Sequence, residues 1–221
     1  MSVRLESTAT YETAVMVFDV RHMPQGCGTW PAVWTCVPSI SISKAIPLFT
    51  HMYLSFSLGE DWPNNGEVDI LEGVNDISPN AATLHTNSGC TMPDDRAQTG
   101  LPVQSNCDVA ATGNSGCGVQ TTEPNSYGPG FNSNGGGYYA MERTDEAISV
   151  WFWPRGSEGI PEGVTSGAQS VDTANWGTPS AFFPNTNCDI ASKFGAHKIL
   201  INCKFIFCRS FALNANLIMS Q

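Results

Sequence analysis

Tyr138-Tyr139-Ala140-Met141-Glu142-Arg143-Thr144-Asp145-Glu146-Ala147-Ile148-Ser149-Val150-Trp151-Phe152-Trp153 is the stretch that decides the fold class. Tyr138–Arg143 and Ala147–Trp153 are aromatic and β-branched runs around a tight turn at Thr144-Asp145, the pattern of an antiparallel hairpin. With a side-chain period of two, Ile148, Val150 and Phe152 share one face, and Ser149, Trp151 and Trp153 share the other. The pattern assigns Trp151 and Trp153 neither to a cleft nor to a packed surface.

Outward from this hairpin the chain continues in strands. They are predicted over 3–5, 14–19, 67–72, 82–86 and 197–202, with a turn and strand over 26–34 and a densely apolar core strand at 14–19. The segments 91–134 and 156–187 are rich in Gly, Asn and turn residues and read as surface loops, the first pinned by disulfides. No internal repeat and no sustained 3.6-residue period is present, which disfavours parallel βαβ architecture.

A length of 221 residues fits one all-β domain. The net charge of −10 and pI near 4.6 repel a phosphate backbone or an anionic membrane surface, so neither nucleic acid nor membrane is expected as a partner. A neutral glycan meets no such barrier, and six Trp supply flat apolar faces for sugar rings. Eight Cys in loop-like sequence read as a disulfide framework in an oxidising compartment, with no pair spaced as a zinc site. No leader is visible after Met1, so the expectation is either reduced cysteines or a start upstream of Met1.

The chemistry concentrates in Asn65-Gly66-Glu67-Val68-Asp69-Ile70-Leu71-Glu72. Strand alternation places Glu67 and Asp69 on one face but strict period two sends Glu72 to the other. A β-bulge at Ile70-Leu71 returns Glu72 to the side of Asp69 and keeps both apolar residues off the polar face. Three acids then line one cleft. Retaining glycosidases need a carboxylate nucleophile and a carboxylic acid roughly 5–5.5 Å apart, and crowded like charges keep one member protonated. A solvated acidic face and a metal-binding carboxylate cluster are the competing readings of the same spacing.

Gly-Glu-Val-Asp-Ile-Leu-Glu resembles the signature of family 16 glycoside hydrolases in its longer, laminarinase-like form. Other segments agree in order with fungal members: Gly28-Thr29-Trp30-Pro31-Ala32-Val33-Trp34, Asp61-Trp62-Pro63-Asn64-Asn65-Gly66, Thr83-Leu84-His85-Thr86, Tyr139-Ala140-Met141-Glu142-Arg143, Val150-Trp151-Phe152-Trp153-Pro154-Arg155 and Trp176-Gly177-Thr178-Pro179. The resemblance implies a concanavalin-like jelly-roll sandwich of two antiparallel sheets with a concave glucan cleft. It also implies an extracellular, monomeric endo-1,3(4)-β-glucanase that cleaves internal linkages of a β-glucan by double displacement, with no cofactor and no metal. On that resemblance Glu67 is the nucleophile, Glu72 the acid/base, and Asp69 the residue that orients the nucleophile. His85 is expected against the acid/base or a sugar hydroxyl, Trp34 and Trp62 as stacking platforms, and Asn65 as a substrate contact. Without the resemblance, His85 reads as a core histidine, and Trp30, Trp34 and Trp62 could equally be sandwich core.

The resemblance breaks in three places. Residues 37–58 hold no acidic residue and have Lys44 as their sole Lys or Arg; removing them joins Cys36 to Gly59-Glu60-Asp61-Trp62, as in similar proteins, so an unspliced intron or an inserted loop is expected. The tail 203–221 departs from the family pattern, and the strands that similar proteins place before Ser2-Val3-Arg4-Leu5 are absent. The expected domain is therefore partial at both ends, with exposed edges. A transglycosylase on the same scaffold and an inactive glycan-binding remnant are the alternatives to hydrolysis.

Overall fold

The computed structural model describes residues 3–37, 61–168 and 170–205. The anomalous segment 37–58, apart from Val37, and the tail beyond Phe205 lie outside the described residues. Eleven strands are described: β1 (Val3–Glu6), β2 (Ala14–Val20), β3 (Thr29–Cys36), β4 (Glu67–Glu72), β5 (Ala81–His85), β6 (Leu101–Pro102), β7 (Cys117–Gln120), β8 (Gly137–Arg143), β9 (Ala147–Pro154), β10 (Ala181–Pro184) and β11 (Lys198–Phe205). They form a seven-stranded sheet ordered β1-β11-β3-β4-β5-β7-β6 and a four-stranded sheet ordered β10-β9-β8-β2. Every pairing within the two sheets is antiparallel. This is the all-β class that the alternation calls for, in the two-sheet jelly-roll sandwich that the resemblance implies.

The β8–β9 hairpin pairs Arg143 with Ile148 and Gly137 with Pro154. Ile148, Val150 and Phe152 face the inter-sheet core, where Phe152 packs on Tyr139 with ring centroids 4.7 Å apart. Trp151 and Trp153 lie on the outer side, both edge-on to Trp176 at 5.3 and 5.5 Å. The loop after β9 brings Trp176 and Val164 over them, so these tryptophans belong to an outer cluster, away from the first sheet's cleft.

Three expectations change. β2, expected as a core strand, is the edge of the four-stranded sheet and only Met16 in it is buried. The region 91–134 contains the buried strand β7 as well as loops, and 156–187 contains β10. Both strands are short and surrounded by turn residues, so their periodicity is too brief to register in the sequence. Disulfides join Cys90 to Cys188 and Cys107 to Cys117. Cys36 and Cys203 are free thiols, which departs from a fully paired framework; Cys36 is buried on β3, where its cross-strand partners are Glu67 and Lys198.

Two glycines bracket β4. Gly66 adopts φ +70, and a Cβ there would lie 2.4 Å from the Phe194 ring. A Cβ on Gly73 would lie 2.6 Å from Tyr127, whose hydroxyl donates to the Gly73 carbonyl at 2.6 Å. Both ends of the strand are thus held by close packing that admits no side chain.

Candidate active site

The register around β4 decides the site. Against β3, Glu67 opposes Cys36, Val68 opposes Thr35 and Asp69 opposes Trp34, but Leu71 opposes Val33 and Glu72 opposes Ala32. Ile70 is the extra residue, a β-bulge that breaks the period of two. Val68, Ile70 and Leu71 are buried in the inter-sheet core. The polar side chains of the strand gather on the opposite face, where β3 contributes Trp30, Ala32 and Trp34, and β11 contributes Asn202 and Lys204. A cleft of about 360 Å³ lies over this face, bounded by Glu67, Asp69, Glu72, His85, Trp62 and Arg4 among others.

Each acid has a distinct partner. The Trp62 indole N–H donates to Glu67 Oε2 at 2.9 Å, and the Trp30 indole N–H donates to Glu72 Oε1 at 2.7 Å. His85, paired with Glu67 across β5, places Nε2 3.0 Å from Asp69 Oδ2. One ligating atom from each of Glu67, Asp69 and His85 lies within 4.8 Å of the others, so these three could hold a cation.

Burial and mutual repulsion bind protons to this trio. Burial, then the charge of Asp69, pushes Glu67 up to about 9, against the opposing effects of His85 and the Trp62 hydrogen bond. Burial and the Glu72 charge raise Asp69, with the Glu67 hydrogen bond working against them. Burial raises Glu72, and the Trp30 hydrogen bond and His85 oppose it. Burial thus favours the protonated forms of all three acids, while the indole donors favour ionised oxygens on the two glutamates, an opposed tuning suited to carboxyl groups that act as acid and base.

The residues singled out from sequence distribute as follows. Glu67, Asp69 and Glu72 meet on one face. Trp62 lines the cleft and bonds Glu67. Trp34 lines it too but is nine-tenths buried: its N–H donates to Asn202 Oδ1 at 2.7 Å, and the Arg4 guanidinium lies 5.1 Å over its ring. His85 meets Asp69 rather than Glu72, because β5 pairs with β4 only before the bulge. The Asn65 side chain turns to Asp61 at 2.9 Å and its carbonyl meets His197 Nε2 at 2.7 Å, outside the cleft lining. Sequence reasoning left Trp30 without a role and did not single out Arg4, Asn202 or Lys204; only the β1–β11–β3 register brings these three beside Trp30 and Trp34.

A two-sheet sandwich that gathers a carboxylate trio on a bulged strand under a cleft points to the class of glycoside hydrolases, whose chemistry runs on paired carboxyl groups. The family profile described as "XgeA-like, catalytic GH16 domain" matches residues 1–43 and 55–220. The chain belongs to that family. It is 43% identical over 207 residues to a probable glycosidase of Schizosaccharomyces pombe, covering 92% of this chain and 43% of that protein. It is 43% identical over 209 residues to an endo-1,3(4)-beta-glucanase of Arthroderma benhamiae, covering 92% and 40%. The chain thus spans less than half the length of these two relatives. Among solved structures, Laminarinase 16A from Phanerochaete chrysosporium superposes with a TM-score of 0.81 at 55% identity, over 91% of this chain and 61% of that one. An elongating family 16 β-1,3-glucosyltransferase superposes at 0.73 with 40% identity, over 91% and 59%.

Proposed function

We propose that the chain is the catalytic body of a retaining endo-β-glucanase that hydrolyses internal β-1,3 or β-1,4 glucosidic bonds. The observation that carries this reading is the bulge at Ile70, which gathers Glu67, Asp69 and Glu72 on the cleft face with a separate indole donor on each glutamate. In the first step the proton that Glu67 holds at rest passes across their hydrogen bond to Asp69, the freed Glu67 oxygen attacks the anomeric carbon, the glycosidic C–O bond breaks, and the proton of Glu72 passes to the leaving oxygen. In the second, Glu72 takes a proton from water, the hydroxide oxygen attacks the same carbon, and the bond to Glu67 breaks. Asp69 holds a proton beside Glu67 and stabilises the carboxylate as it departs; the mechanism calls for no cofactor. Trp62 and Trp34 border the sugar path, and His85 acts through Asp69.

Relatives that bear the names glycosidase and endo-1,3(4)-beta-glucanase support a β-glucan as the substrate. The glucosyltransferase likeness supports a second reading, in which a sugar hydroxyl replaces water in the second step. Extracellular residence is proposed from the disulfides, and a monomer acting on a polymer away from membranes fits the charge; among the described residues no helix is long and apolar enough to cross a membrane. The domain is proposed as one unit carrying an insert near 37–58, a view supported by the family profile passing over residues 44–54; the same profile extends through 220, across the tail that departs from the pattern.

The test is reducing-end release from a β-1,3-glucan and a mixed-linkage glucan, beside Glu67→Gln. Activity that disappears in the variant supports the reading, and activity that survives in it rejects Glu67 as nucleophile. Elongated products on adding an acceptor oligosaccharide select transfer over hydrolysis.

A further inference from the structure

The bulge creates a backbone problem at the residue that matters most. Pairing between β4 and β5 runs through Glu67, Val68 and Asp69 and stops at Asp69 opposite Thr83. Beyond it, the Ile70 carbonyl and the Glu72 N–H would be buried without ladder partners, which costs about 1–3 kcal/mol per group. Asn80, just before β5, supplies both. Its Nδ2 donates to the Ile70 carbonyl at 2.9 Å and its Oδ1 accepts from the Glu72 N–H at 3.0 Å. A side-chain amide offers a donor and an acceptor in this fork without charge at any pH, and the two partners fix which end is oxygen.

Asn80 is itself immobilised. It is 1% exposed, its N–H donates to Ser126 Oγ at 2.9 Å, and its carbonyl accepts from the Thr121 N–H at 2.9 Å. Ser126 Oγ and Thr121 Oγ1 lie 2.9 Å apart, and Tyr139 of the second sheet donates its hydroxyl to the Ser126 carbonyl. The bulge is thereby tied to the sandwich core through a fully partnered buried network, which holds a geometry more rigidly than isolated bonds do.

We infer that Asn80 is a positioning residue that latches the β4 bulge and so sets the place of Glu72, but not of Glu67 or Asp69, in the cleft. Glu67 and Asp69 precede the bulge and are held by regular pairing to β3 and β5; Glu72 follows it and depends on the latch for its backbone. The inference rests on the reading of Glu72 as acid/base. Loss of the latch therefore impairs proton delivery to the leaving group and leaves nucleophilic attack intact.

The leaving group separates these effects. In the full chain, Asn80→Ala is compared with wild type on an unactivated β-1,3-glucan oligosaccharide and on its 2,4-dinitrophenyl β-glycoside, whose departure needs no proton. The expected result is a fall in kcat/KM of about 100-fold on the oligosaccharide, the scale of a misplaced general acid, and of less than about 3-fold on the activated substrate. Circular dichroism must match wild type; if Asn80→Ala does not fold, Asn80→Asp, which keeps the size and the acceptor, takes its place. Its introduced carboxyl donates to the Ile70 carbonyl only when protonated, so its activity relative to wild type should recover on acidification. Equal losses on both substrates, or no loss on either, in a folded variant overturn the latch. Glu72→Ala serves as the control and should show the same leaving-group contrast, with azide restoring turnover of the activated substrate. If Glu72→Ala instead loses both substrates alike, the acid/base assignment fails and the latch with it; if only Asn80 variants lack the contrast, the assignment stands and the latch falls.

Discussion

Replacing Glu67 with Gln should make the fold more stable at neutral pH while it removes the proposed nucleophile. Burial and the neighbouring Asp69 raise Glu67 from 4.5 to about 9, so between these values the folded chain keeps a proton that the unfolded chain releases. Stability then falls as pH rises through this window, being fully present below about 4.5 and lost progressively toward 9. The slope is about 1.4 kcal/mol per pH unit, which gives a loss of roughly 2–3 kcal/mol between pH 5 and pH 7. Gln has no such titration and its carbonyl oxygen can still accept from the Trp62 N–H. Urea unfolding of both proteins at pH 5 and pH 7 measures the difference: wild type should lose about 2–3 kcal/mol more than the variant over that step. The same pH dependence in both proteins refutes the account of Glu67 as a buried, proton-holding carboxyl.

Two further outcomes concern other groups. Trp30→Phe keeps a ring beneath Lys204, which lies 5.2 Å over the indole, but removes the donor to Glu72 Oε1; because that bond favours the ionised carboxylate, the alkaline limb of kcat/KM should move upward by about 1 pH unit, and an unmoved limb counts against the contact. His197, 1% exposed and placed between Thr35 Oγ1 and the Asn65 carbonyl, is lowered to about 4 by burial. Its contribution is present above the ordinary histidine value of 6.5 and is lost as pH falls toward 4, so the wild type should lose roughly 3 kcal/mol over that range and His197→Gln should lack this component in urea unfolding at pH 4.5 and 7.

Trp62, the hairpin tryptophans and His85 show how far a sequence pattern reaches. Trp62 precedes Glu67 by five residues and meets it through a local turn, so its place at the site follows from nearby sequence. Trp151 and Trp153 were assignable to one strand face, but the loop bearing Trp176 had to fold over that face before its role as an outer cluster was defined. His85 was legible as a neighbour of the acids; which acid it meets depends on where pairing between two strands stops.

By itself the sequence determined the antiparallel class, because alternation and turn chemistry are local properties, and it determined the acidic trio, because three carboxyl residues within six positions can share a face only if the strand bulges. Tertiary structure decided everything that depends on register between distant strands. Trp30 meets Glu72 across a neighbouring strand, Arg4 covers Trp34 through β11, and Asn80 closes the bulge from the far side. Those contacts are fixed by which backbone groups remain to be hydrogen-bonded after the sheets assemble, a global condition that no window of neighbouring residues contains.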